Sequence, residues 1–129
     1  MKLARRFALA AALFAWTLAG WAQDFPSRPV RIVVPYAAGG GTDILARLIA
    51  ERLRSDWGQP VIVENKAGAG GNIGAAEVAR AGADGHTLLM TAGGFAIAPA
   101  VYPQLPFDPL KDFAAVTQVA TVPLILVVP

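Results

Sequence analysis

The order in which this chain alternates β-branched runs with glycine turns limits its fold more than any other feature. Val30-Arg31-Ile32-Val33-Val34 leads into Pro35-Tyr36-Ala37-Ala38-Gly39-Gly40-Gly41-Thr42-Asp43. Val61-Ile62-Val63-Glu64 leads into Asn65-Lys66-Ala67-Gly68-Ala69-Gly70-Gly71-Asn72-Ile73-Gly74. Short apolar runs bounded by turn residues read as buried strands. The stretch after the first turn, Thr42–Trp57, carries Ile44, Leu45, Leu48, Ile49, Arg52, Leu53 and Trp57 at three- and four-residue steps, with Arg47, Glu51, Arg54 and Ser55 mostly opposite. That spacing predicts an amphipathic helix with Thr42 as its N-cap, Asp43 at its positive end and Gly58-Gln59-Pro60 as its stop.

The pattern then repeats. Val61–Asn65 is a second strand, Ile73 to Ala81 a short helix of small residues, Asp84-Gly85 a turn, and Thr87–Thr91 a third strand. Strands separated by helices of this length imply parallel pairing through right-handed crossovers. Glycines and prolines break up residues 92–111, which read as loop with short helical turns at most. Ala114–Ala120 and Leu124–Val128 read as two further strands flanking Pro123. The chain ends directly after that last apolar run, and the expectation is a fragment rather than a complete small domain.

Residues 1–22 stand apart. Lys2, Arg5 and Arg6 precede an apolar run of 12 residues, Phe7 to Leu18, and Gly20 and Ala22 lie just before Gln23. A membrane-spanning helix needs roughly 20 apolar residues, so this segment reads as a secretory signal peptide. Its removal leaves eight basic residues against nine acidic ones. The remainder has no basic surface of the kind nucleic acid requires. With no cysteine, neither disulfides nor thiolate chemistry enters.

Catalysis has little to draw on. His86 is the single histidine, Ser27 and Ser55 are the only serines, and neither serine sits in a G-x-S-x-G turn. Asp43, Glu64, Asp84 and Asp108 are scattered without metal-ligand spacing. The first glycine turn lacks the Gly-Lys-Ser/Thr ending of a phosphate loop, and the second places its third glycine one position late for a dinucleotide fingerprint. A carboxylate site needs only backbone N–H groups, hydroxyls and helix N-termini. Tyr36, Gly39, Gly40, Thr42, Asn72 and Thr91 would gather at one sheet edge and supply them. Each residue also admits a plainer role, as a helix cap or tight-turn residue. The other class left open is an α/β nucleotide- or phosphate-binding domain of an exported enzyme.

Phe25-Pro26-Ser27-Arg28-Pro29-Val30 through Tyr36, then Ala38-Gly39-Gly40-Gly41-Thr42-Asp43, resembles the start of the Bug/TctC-type extracytoplasmic receptors of tripartite tricarboxylate transporters. The likeness continues through Gly58 to Gly74, Ala83-Asp84-Gly85-His86-Thr87-Leu88, Pro99-Ala100-Val101-Tyr102, Pro106-Phe107-Asp108-Pro109, Asp112-Phe113 and Val119-Ala120. It implies an α/β fold, the first lobe of a type II periplasmic-binding-protein clamshell, with a mainly parallel sheet and flanking helices. By this reading residues 23–121 form an incomplete first lobe and 122–129 begin the crossover to a second. It further implies a non-enzymatic periplasmic receptor without cofactor, which takes a small carboxylate and passes it to membrane permease subunits. The ligand residues implied are Tyr36, Ala38, Gly39 and Asp43, with Gly71, Asn72 and Thr91 beside them. The family more often carries Phe-Pro-Ala-Gly-Gly where this chain has Tyr36-Ala37-Ala38, a change that adds a hydroxyl.

Overall fold

A computed structural model describes residues 25–123 and residue 126. The signal peptide expected at 1–22 and nearly all of the strand expected at Leu124–Val128 lie outside the described residues.

Three parallel strands form a sheet in the order β2-β1-β3, with β1 at Val30–Val34, β2 at Val61–Asn65 and β3 at Thr87–Leu89. Val30 pairs with Val61 and Val34 with Asn65 on one side of β1, and Arg31 pairs with Thr87 on the other. Helix α1 (Gly41–Trp57) links β1 to β2, and α2 (Asn72–Ala79) links β2 to β3. Successive residues of a strand face opposite sides of its sheet, and the sheet separates two cores. Val30, Ile32 and Val34 pack with Ala46 and Ala50 of α1, with Leu53 and Trp57 beyond. On the other face Ala75 and Ala76 of α2 pack with Phe107 and Leu89. Helices on both faces explain why β1 is apolar almost without interruption.

The exception in β1 is Arg31, on the α2 side. Its guanidinium donates to both oxygens of Glu64 on β2, at 2.9 and 2.7 Å, and to Glu77 Oε1 on α2 at 2.7 Å. Lys66 approaches Glu77 at 3.5 Å and Glu64 at 3.9 Å, which closes a ring of two cations and two carboxylates. The Arg31 hydrogen bonds hold the Glu64 carboxyl below its ordinary range.

Helix α1 forms where expected but turns a different face inward. The buried track is Asp43, Ala46 and Ala50, continued by half-buried Leu53 and Trp57, while Ile44 and Leu48 are 53% and 60% exposed. The valine-rich surface of β1 lets the helix approach closely only where its side chains are small. Gly58 ends α1 as expected, in the left-handed conformation, with its N–H on the Arg54 carbonyl.

Two expectations fail beyond β3. Where loop is expected, Gly94–Val101 forms an α-helix, α3, with Pro99 inside it. Proline removes one backbone donor there, and aromatic packing offsets the loss. Phe95 of α3 stacks on Phe107 with ring centres 5.8 Å apart and meets Phe113 edge-on at 5.1 Å. No strand forms at 114–120, where every residue is exposed. Its apolar residues predict a strand, but no strand among the described residues lies alongside to pair with it.

The inward track generates a test. Ala46→Leu should overpack the α1–sheet contact and cost about 1–3 kcal/mol, whereas Ile44→Ala should change stability by less than about 0.5 kcal/mol. Urea unfolding of the two variants measures both. The reverse ranking would mean that the larger residues face the sheet.

Candidate functional site

Strand order places a crevice. The chain leaves β1 to one side to form β2, then returns past β1 to form β3, so the order reverses between β1 and β3. Open α/β sheets bind ligands outside the carboxyl ends of their strands at such a reversal. All three strands end here in a turn that carries glycine and leads into a helix: Pro35–Gly40 before α1, Lys66–Gly71 before α2, and Met90–Gly93 before α3.

The two long turns differ in construction. Gly40 occupies the N-cap of α1 in an extended conformation, with no side-chain cap, and the first helical bond runs from the Ile44 N–H to the Gly40 carbonyl. The N–H groups of Gly41, Thr42 and Asp43 therefore open the helix without an intrahelical acceptor. Thr42, expected as the N-cap, lies inside the first turn, because the chain is already helical at Gly41. In the second turn Gly68, Gly70 and Gly71 take φ values of 135°, 68° and 100°, which side chains rarely tolerate. Gly74 serves another purpose. A Cβ there would stand 2.9 Å from Pro35 Cβ and from the Lys66 carbonyl oxygen, so this glycine lets α2 pack against the end of β1.

Beneath the first turn lies a buried carboxylate. Asp43 Oδ2 accepts the Gly39 N–H at 2.8 Å and Arg47 Nε at 3.0 Å, and Oδ1 accepts Asn65 Nδ2 at 3.0 Å. Asn65 also donates to the Tyr36 carbonyl at 3.1 Å and accepts from Arg47 Nη2 at 3.0 Å. The Arg47 hydrogen bond first, then the Gly39 N–H, hold the Asp43 carboxyl at about 2 against an ordinary 3.8. Within this network Asp43 and Gly39 have their polar groups directed at each other. Ala38 and Gly40 stand on the exposed outer surface of the same turn.

Tyr36 ties the crevice together. Its hydroxyl lies 3.1 Å from Thr91 Oγ1 and accepts the Ala92 N–H at 3.3 Å, so a residue after β1 is joined to residues after β3. A Cβ on Gly71 would lie 3.4 Å from Tyr36 Cε1, and one on Gly94 would lie 3.8 Å from its Oη. Tyr36, Thr91 and Gly71 thus meet at one place, and the start of α3 joins them. Asn72 does not reach this contact. It is buried at the start of α2 and lines a separate groove with Tyr102 and Gln104.

Chemically this edge offers amide donors, two hydroxyls and glycine surfaces. Among the described residues no group of three or more His, Asp or Glu could hold a metal ion. His86 lies at the amino end of β3, the opposite edge, with Nδ1 3.0 Å from the Asp84 carbonyl and its ring against Phe25. Three participants escaped the sequence reading: Arg47, Asn65 and Gly94. Arg47 stands four residues after Asp43, the spacing of a helical ion pair. Gly93-Gly94 follows the third apolar run as glycines follow the first two. Asn65 carries no local signal, since its partner Asp43 lies 22 residues earlier.

The sequence and the fold both have counterparts among known proteins. The family model described as the tripartite tricarboxylate transporter family receptor matches residues 45–129. BugT of Bordetella pertussis is 43% identical over 108 residues, covering 82% of this chain and 33% of BugT. The solved periplasmic binding protein BugD is 49% identical with a TM-score of 0.65, covering 69% of this chain and 30% of BugD. MatC from Rhodopseudomonas palustris, solved with bound malate, is 46% identical with a TM-score of 0.62, covering 69% of this chain and 31% of MatC. The chain spans about a third of the length of the curated relatives it matches.

The Asp43 network carries a pH signature. The unfolded chain takes up a proton near 3.8 and the folded turn only near 2, so over that window the unfolded state binds more protons. The stability Asp43 supplies is complete above the unfolded value and is lost as pH falls through the window. Asp43→Asn should therefore lower stability at neutral pH and flatten the acid-unfolding curve between those values, followed by Trp57 fluorescence. A curve as steep as that of the unsubstituted chain would place the acid sensitivity elsewhere.

Proposed function

This chain belongs to the tripartite tricarboxylate transporter receptor family, and on that premise we propose that it forms the carboxylate-holding wall of a periplasmic solute receptor. The observation that carries the reading is the convergence of the uncapped α1 start and of Gly71 with the Tyr36–Thr91 contact at the β1/β3 reversal. Open helix starts favour an anion through their N–H groups and the helix dipole. A site of amides and hydroxyls holds a carboxylate reversibly and does no covalent chemistry on it, which suits a receptor that must release its cargo.

The residues divide the work. The Gly41 and Thr42 N–H groups and the Thr91 hydroxyl face the carboxylate. Ala38, Gly40 and Gly71 leave room for it to approach the backbone. Tyr36 forms the wall between the first and third strand ends, while Gly39 and Asp43 hold the first turn in shape from below. The malate held by MatC supports a small di- or tricarboxylic acid as the ligand class. In the longer whole receptor a second lobe would close over this edge and remove water from the bound acid, and membrane permease subunits would receive it.

Calorimetric titration of the exported chain with malate and citrate, set beside ATP and NAD, tests the reading. Heat with the carboxylates alone is expected, and heat with the nucleotides alone would overturn it. Gly41→Val supplies the mutational arm, because a Cβ at Gly41 meets nothing within 4 Å and the backbone there is not left-handed. It should unfold at the same urea concentration as the unsubstituted chain yet bind malate about tenfold more weakly or worse, because the valine side chain keeps the carboxylate from the amides and forfeits at least one hydrogen bond to a charged group.

A further inference from the structure

A second concavity, lined mostly by apolar surface, lies beside the glycine turns. It is a groove of about 350 Å³ between the outer face of α2 and the chain that leaves α3, a volume within the range that small molecules occupy. Asn72, Ile73, Ala76 and Arg80 line one side, at spacings that return to one face of a helix. Tyr102 and Gln104 line the other. Tyr102 leans over the second turn, close enough that a Cβ on Gly70 would stand 3.3 Å from its Cζ.

The polar groups of this groove are unusually free. Arg28, Arg31, Arg47, Arg52, Lys66 and Lys111 are each paired with a carboxylate, whereas Arg80, like Arg54 on α1, takes part in no ion pair among the described residues. No carboxylate lines the groove. Asn72 is 92% buried and makes no side-chain hydrogen bond among the described residues, and its amide keeps access to the groove. Tyr102 and Gln104 are likewise without side-chain partners there. One cation, two amides and a phenol thus face a shared space whose remaining walls are the apolar Ile73, Ala76, Ala69 and Pro106.

We propose that this groove is a second ligand site, which takes a monocarboxylate with a short apolar tail. The carboxylate pairs with the Arg80 guanidinium and accepts from the Gln104 or Asn72 amide. The tail lies along Ile73 and Ala76. Helical side chains lean toward the N-terminus, so Arg80 reaches back along α2 toward the middle of the groove. The site uses side chains of α2 and residues 102–106, whereas the edge at β1 and β3 uses backbone amides, so it goes beyond the receptor reading and can stand or fall without it.

Titration of the isotope-labelled full chain with hexanoate, followed residue by residue by NMR, tests the assignment. Saturable shifts are expected at Arg80, Tyr102 and Gln104 and not at Gly41 or Thr91. Arg80→Gln, an exposed position that leaves the fold intact, should weaken hexanoate about tenfold and leave malate binding unchanged. Gly41→Val should do the reverse. Equal hexanoate affinity in Arg80→Gln, shifts confined to Gly41 and Thr91, or no saturable shift at all would each overturn the proposal. Absence of malate binding to the unsubstituted chain, with hexanoate bound, would count against the receptor reading alone.

Discussion

Strand β1 is hydrogen-bonded on both edges and covered on both faces, and every other part of the described structure takes its position from it. Its edges set the parallel register of β2 and β3. The sheet built on it divides the interior into an α1 core and an α2 core. Because β2 and β3 flank it from opposite sides, the crevice between strand ends falls beside its own carboxyl end. Pro35, fully buried at that end, is also the residue against which Gly74 lets α2 close.

From that anchor the first glycine turn is held by an inverted arrangement of charge. The anionic group of the turn points down into the protein, where a backbone N–H, a guanidinium and an amide neutralise it. The first α1 amides have no intrahelical acceptor. If the Asp43 carboxylate faced the crevice, it would repel an anionic ligand. Turned inward, it fixes the geometry of the donors. Preorganised donors of this kind bind without a further ordering cost.

The sheet and the helices α1 and α2 were legible because each strand starts from a short, mainly apolar run and each turn is punctuated by glycine. Val30–Val34 and Val61–Asn65 have the predicted bounds. The inward face of α1 was not legible, since hydrophobicity ranks Ile44 and Leu48 above Ala46 and Ala50 while interlayer distance ranks them the other way. Helix α3 was hidden by Pro99, whose cost is offset by Phe107 and Phe113 from later in the chain. At the site, Tyr36, Thr91 and Gly71 could be grouped from their places after strands. The Asp43–Asn65 bond could not, because it exists only once β2 has paired with β1. Residues 114–120 show the opposite failure, a strand-like pattern without a neighbouring edge.

The ring formed by Arg31, Glu64, Glu77 and Lys66 has a consequence for assembly. A two-residue slip of β2 along β1 would keep every valine on its proper face, because side-chain alternation has a period of two. Apolar burial alone cannot reject that misalignment. The slip would carry Glu64 away from the Arg31 fork and forfeit a two-pronged, half-buried ion pair. The charged ring therefore acts as a proofreader, and it admits only the alignment that brings Asn65 to the foot of the first glycine turn.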